Sequence, residues 1–196
     1  MDSDKKKPEL NWKQTVMTYV HDLVYMLMAI LLIFLLFFRI VVVSGQSMYP
    51  TLLDGDYVLL LNNLFYRQPQ QGDIVVISKD SFDNGNAIVK RVIATQGQTV
   101  DIDFESGVVY VDGQALEETY INSPTYNEEG TVFPLEVAEN CIFVLGDNRG
   151  VSLDSRHPKI GQIDKREVLG KVFFLMLPGT NYGELPRETD RIGVIK

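Results

Sequence analysis

The feature that most constrains this chain is an unbroken apolar run near its start. Residues 23–38 read LVYMLMAILLIFLLFF, sixteen residues without a charge. Arg39 interrupts the run and Ile-Val-Val-Val carries it on to Val43, which makes 21 residues over 23–43. As a helix at about 1.5 Å per residue these span roughly 30 Å, one bilayer core. A helix apolar on every face offers no side to water, and a domain this small rarely encloses one. A cleaved secretion signal has a shorter apolar core, about 7–15 residues, followed by a small-residue cut site. Here the run is longer and ends in Arg-Ile-Val-Val-Val. The expectation is an uncleaved transmembrane helix over 23–43, with Arg39 reaching the interface.

The residues on either side of the run differ in charge. Residues 1–22 form a tail in which Lys5, Lys6, Lys7 and Lys13 balance Asp2, Asp4, Glu9 and Asp22. Lysines beside a membrane span favour a cytoplasmic N-terminus, and acidic residues weigh little in that choice. The body, residues 44–196, is then expected outside the cytoplasm. Counted from Ile40, it carries 13 basic and 22 acidic residues, which accounts for the chain's net charge of -8. An acidic body argues against a nucleic-acid partner, which needs a basic footprint. A single cysteine, Cys141, excludes an internal disulfide and cysteine-based zinc clusters. Two histidines, His21 and His157, leave little for a histidine metal site, and none is expected.

The body reads as mainly β. Short β-branched runs recur at 57–61, 73–78, 87–94, 99–102, 108–111, 141–145 and 168–177. Turn signals separate them, among them Asp54-Gly55, Gly72-Asp73, Asn84-Gly85-Asn86, Asp112-Gly113 and Gly146-Asp147. No long amphipathic helical pattern and no fixed repeat appears. A polar, irregular lobe or loop is expected near 112–140, and a trailing surface segment over the last 20 or so residues, with Gly183 and Pro186.

Two polar segments stand out for chemistry. Residues 44–52, Ser-Gly-Gln-Ser-Met-Tyr-Pro-Thr-Leu, follow the apolar run directly. Gly45 permits an unusual backbone and Pro50 stiffens the exit, so the turn can present the Ser47 hydroxyl. An ordinary linker reads the same way. Residues 146–157 pack Asp147, Arg149, Ser152, Asp154 and Arg156 into one loop, which a self-satisfied turn would also explain. A serine nucleophile needs a base. His21 precedes the apolar run, on the far side of the expected membrane from Ser47. His157, oriented by Asp154, is one option. Lys90, in Ala-Ile-Val-Lys-Arg-Val-Ile, is the other: alternation puts it on the face of Ile88 and Val92, where desolvation, helped by Arg91, lowers an amine's affinity for its proton. Val89, Arg91 and Ile93 form an equally apolar face, so periodicity leaves open which cation points inward, and an edge-strand lysine that limits aggregation fits the same pattern.

In order and spacing, the anchor, residues 44–52, 72–76, Lys90-Arg91 with Gly97, and residues 146–156 resemble type I signal peptidases in their compact Gram-positive form. These are membrane-bound Ser/Lys proteases. The resemblance implies a mainly β chain, with one N-terminal transmembrane helix before a β-rich signal-peptidase-like catalytic domain. It implies Ser47 as nucleophile and Lys90 as neutral general base. Ser152 would orient the lysine, and Asp147, Arg149, Asp154 and Arg156 would hold the loop. Some relatives carry a serine where Gly45 stands. The Ser47 amide remains an oxyanion donor, with a Gly45 amide or a water as the second. Substrates would be secreted preproteins carrying signal peptides, cut at the membrane surface after small residues. Val43, Met48, Leu52 and Val89 would wall the pockets, with no metal or organic cofactor. Cys141 matches no functional position and reads as core.

Two rivals stand beside this reading. A catalytically silent, membrane-tethered β-domain would keep the fold and anchor but would not need Ser47, Lys90, Ser152 and Asp154 together. A related Ser/Lys self-cleaving regulator would carry a DNA-binding segment where this chain has its apolar run.

Overall fold

A computed structural model describes residues 12–78, 87–179 and 189–195. It divides into an N-terminal unit ending at Phe37 and a body beginning at Phe38. The Lys5–Lys7 cluster, the Asn84-Gly85-Asn86 turn, Gly183 and Pro186 lie outside the described residues.

The first unit is one helix, α1 (Trp12–Phe37), 26 residues long with no buried side chain. At about 1.5 Å per residue it reaches roughly 39 Å, long and apolar enough to cross a membrane. Its limits differ from the expected 23–43. It begins at Trp12, and it ends where the β-branched residues Ile40, Val41 and Val42 begin. Two heavy atoms on Cβ cost such residues rotamer freedom in a helix and suit them to a strand. Phe38–Val42 accordingly forms β1, with Arg39 opposite Leu60 in the ladder.

The body is built on antiparallel strands: β2 (Tyr57–Asn62), β3 (Ile74–Ser78), β4 (Ala87–Thr95), β5 (Thr99–Asp103), β6 (Val108–Val111), β7 (Gln114–Ala115), β8 (Leu135–Glu136), β9 (Cys141–Leu145), β10 (Ile163–Asp164), β11 (Val168–Leu177) and β12 (Gly193–Val194). The large sheet runs β1-β2-β11-β3-β4-β9-β10, with β12 added to β11. The small sheet runs β7-β6-β5-β8. The lobe expected at 112–140 therefore starts earlier in the chain, with β5 and β6 as its frame, and its irregular part lies between β7 and β8.

Strands β3, β4 and β9 are covered on both faces; β3 and β9 read as nearly continuous apolar runs, and β4 does so on either side of Lys90-Arg91. One core cluster packs Val43, Met48 and Leu52 against Val58, Leu60, Ile74, Val76 and Val89. The chain after β1 is thus pressed onto the sheet by its own apolar side chains, with Ser47 beside the deepest of them. The C-terminal segment is tied down. Val194 pairs with Phe174, and Arg191 bonds both carboxylate oxygens of buried Asp56, at 3.1 and 2.6 Å.

Candidate active site

Ser47 sits in a turn held from both sides. Gly45 adopts φ +86°, a left-handed conformation that favours glycine. Its N–H donates to Asp54 Oδ1 at 2.7 Å. Asn148 N–H donates to the Ser47 carbonyl at 3.0 Å, and Asn148 Nδ2 to the Gln46 carbonyl at 3.1 Å. These bonds fix the turn against the loop that follows β9. They also correct one expectation: the Gly45 amide is committed to Asp54 and is not free to serve an oxyanion. The Ser47 N–H makes no hydrogen bond among the described residues.

Lys90 comes from β4. Its Nζ lies 2.7 Å from Ser47 Oγ and 3.0 Å from the Val89 carbonyl. The residue is only 3 % exposed. Burial pushes its amine down to about 8, from 10.5. The Asp154 and Asp147 carboxylates oppose that shift, Arg156 adds to it, and Glu129 opposes it. The positive neighbour that counts is therefore Arg156, not Arg91 as strand adjacency suggested. Arg91 is itself buried and bonded to Asp147 through Nε at 2.8 Å and Nη2 at 2.7 Å, with Nη1 on the Gly72 carbonyl at 2.9 Å. Thr51 Oγ1 donates to the same Asp147. His157 takes no part in this constellation. Its Nδ1 accepts from the Lys159 N–H.

The loop after β9 is a polar knot in a dry place. Asp154 accepts from Gly146 N–H at 3.0 Å and pairs with Arg156 through Nε at 2.9 Å. Arg156 Nη2 also donates to the Arg149 and Ser152 carbonyls at 2.8 and 3.3 Å. Arg149 bonds Thr125 Oγ1 at 2.6 Å and pairs with Glu118. Asp147, Asp154, Arg149 and Arg156 are all buried, and each charge has a partner, the condition under which buried ions are tolerated. Ser152 differs. Its Oγ is buried without a hydrogen-bond partner among the described residues, so the bond to Lys90 implied by resemblance is not made. Val43, Met48, Leu52 and Val89, expected to wall pockets, are between 0 and 9 % exposed and belong to the core beneath Ser47, and of the four Leu52 also lines a cleft.

The family model "Signal peptidase, peptidase S26" matches residues 16–177. The chain belongs to the S26 signal peptidase family. It is a serine peptidase, a hydrolase, and its long apolar N-terminal helix fits a membrane-anchored member. Signal peptidase I of Bacillus licheniformis is 32 % identical over 92 % of this chain and 96 % of its own. The probable signal peptidase I-1 of a Synechocystis strain is 36 % identical over 73 % of each chain. A crystal structure of a signal peptidase I from Enterococcus faecalis is 31 % identical, covering 53 % of this chain and 96 % of that one, at a TM-score of 0.43. Membership rests on the sequence matches.

Three site features of this S26 chain escaped the sequence reading. Thr51 and Arg91 share Asp147, and Glu118 closes on Arg149 from the irregular stretch. The Tyr120 ring also lies 3.9 Å from the Arg91 guanidinium. Thr51 follows Ser47 by four residues and had a local signal. Glu118 and Tyr120 had none, because their partners lie far away in sequence.

Proposed function

We propose that the chain removes N-terminal signal peptides from exported preproteins, with Ser47 as nucleophile and neutral Lys90 as general base. The 2.7 Å approach of a buried amine to the Ser47 hydroxyl carries this reading. Neutral Lys90 accepts the Ser47 proton as Oγ attacks the scissile carbonyl carbon. The Ser47 N–H donates to the oxyanion, a contribution of about 3 kcal/mol for such a donor. The ammonium then returns its proton to the leaving amine as the C–N bond breaks. Lys90 next takes a proton from the water that attacks the acyl ester, and returns it to Ser47 Oγ as the ester C–O bond breaks.

Asp147, Arg149, Asp154 and Arg156 hold the loop that braces the Ser47 turn, and Ser152 orients Lys90 once substrate is bound. Val43, Met48, Leu52 and Val89 form an apolar floor that admits only small side chains before the cut. The N-terminus lies in the cytoplasm and the body outside it, at the bilayer surface where a signal peptide's cut site emerges. Ser47→Ala and Lys90→Ala, assayed on a purified preprotein, should each abolish cleavage. Wild-type rates in either variant would refute the dyad.

A further inference from the structure

One cleft beside the nucleophile shares only Leu52 with that apolar floor. It has a volume of about 390 Å³, and its walls include Gln46, Tyr49, Leu52, Asp54, Asn122 and Asn148. Gln46 precedes Ser47 directly and Tyr49 follows two residues on, so the cleft starts within a residue of the reacting hydroxyl. Lys90, Val89 and Val43 do not line it.

Gln46, Asp54, Asn122 and Asn148 give its walls polar groups, while Leu52, Leu53 and Tyr49 give them apolar surface. Asn148 and Asn122 are fixed in place: Asn122 Nδ2 donates to Asn148 Oδ1 at 3.3 Å, and Asn122 N–H to the Asp147 carbonyl at 3.0 Å. Other groups are uncommitted among the described residues. Asp54 accepts the Gly45 N–H through Oδ1 and has Oδ2 to spare. The Gln46 side-chain amide and the Tyr49 hydroxyl, both on exposed residues, make no hydrogen bond. Asp54 is the one carboxylate in the lining.

We infer that this cleft receives the first residues of the substrate after the cleaved bond, and that Asp54 biases it toward cationic side chains and against acidic ones. The inference rests on the peptidase reading above. A substrate whose carbonyl meets Ser47 extends both ways at about 3.3–3.6 Å per residue, so one half of it must enter a space this near. The half before the cut carries small apolar residues, which would strip water from the cleft's amides and carboxylate without returning a hydrogen bond. The half after the cut begins a protein bound for water, and its polar side chains and backbone match these donors and acceptors.

The test uses the full-length protein in phospholipid bilayers. Its substrates are three synthetic preprotein peptides, identical except for Lys, Gln or Glu at the second residue after the cut. In the wild type, kcat/KM should favour Lys over Glu by about tenfold, the effect of one charge reversal near a solvent-screened carboxylate. That ratio should shrink as salt rises. Asp54→Asn keeps an Oδ1 acceptor for Gly45 and should bring the ratio to within about twofold. A wild type without preference, a ratio unmoved by Asp54→Asn, or a ratio flat in salt would each overturn the assignment. The salt series needs no variant and decides the matter if Asp54→Asn does not fold. Cleavage that persists in Ser47→Ala would sink the peptidase reading instead. Cleavage that needs Ser47 but ignores Asp54 would sink only the cleft.

Discussion

Keeping Lys90 ready for its proposed role as base has a cost in stability that should be measurable. Burial sets its folded pKa at about 8 against 10.5. At 1.36 kcal/mol per unit, that difference is worth roughly 3 kcal/mol. Between those two values the unfolded chain holds the proton and the folded chain does not, so stability rises with pH across the window. Below the folded value the penalty stands in full. Lys90→Met keeps the stem and removes the charge, and with it the hydrogen bonds to Ser47 Oγ and the Val89 carbonyl. Those bonds are worth about 1 kcal/mol each. At pH 7 the variant should therefore be about 1 kcal/mol more stable than wild type, and near pH 10.5 about 2 kcal/mol less stable.

Equilibrium urea unfolding of the full chain in detergent, followed by circular dichroism at both pH values, reads this change of sign. A difference between variant and wild type that is the same at both pH values would refute the reasoning. The same group sets the activity profile. Wild-type kcat/KM should climb through an acid limb centred near pH 8, and Lys90→Met should not cleave. A limb centred below about 6 would mean that some other group is the base.

Two further outcomes follow from the loop after β9. A Cβ at Gly146 would press on Ser152 Oγ and the Ser47 carbonyl, so Gly146→Ala should cost about 1–3 kcal/mol and lower kcat by displacing the nucleophile, read by thermal unfolding and turnover. Ser152→Ala removes a buried hydroxyl that bonds nothing, so the melting temperature should hold or rise slightly while kcat falls and KM holds; a lower melting temperature with normal kcat would assign Ser152 a structural role instead.

Seven strands were legible as β-branched runs set off by turn signals, whereas β1 and the two-residue strands β7, β8, β10 and β12 were not. The runs at 108–111, 141–145 and 168–177 coincide with β6, β9 and β11. The end of α1 was not legible from hydropathy. An unbroken apolar run looks the same whether it ends as helix or as buried strand, and only Ile-Val-Val at 40–42 marked the change. The ion pairs were beyond reach for another reason. Arg91 and Asp147 are 56 positions apart, and Arg149 and Glu118 are 31 apart. No local pattern announces a partner brought in by the fold.

The same limit explains why alternation along β4 could not choose between Lys90 and Arg91. The question assumed one covered face, but both cations are buried, at 3 and 2 % exposure, so both faces of β4 are covered here. What separates them is the supply of counterions. Arg91 is met by both oxygens of Asp147, and an arginine keeps its charge in any protein. The carboxylate nearest in effect to Lys90 is Asp154, and Arg156 already holds it. Lys90 is left with a hydroxyl and a carbonyl, neither of which compensates a buried positive charge. Arginine at position 90 could not release a proton. Lysine is the residue whose ion burial can neutralise, and here burial does so against the pull of Asp154 and Asp147, which Arg156 partly offsets.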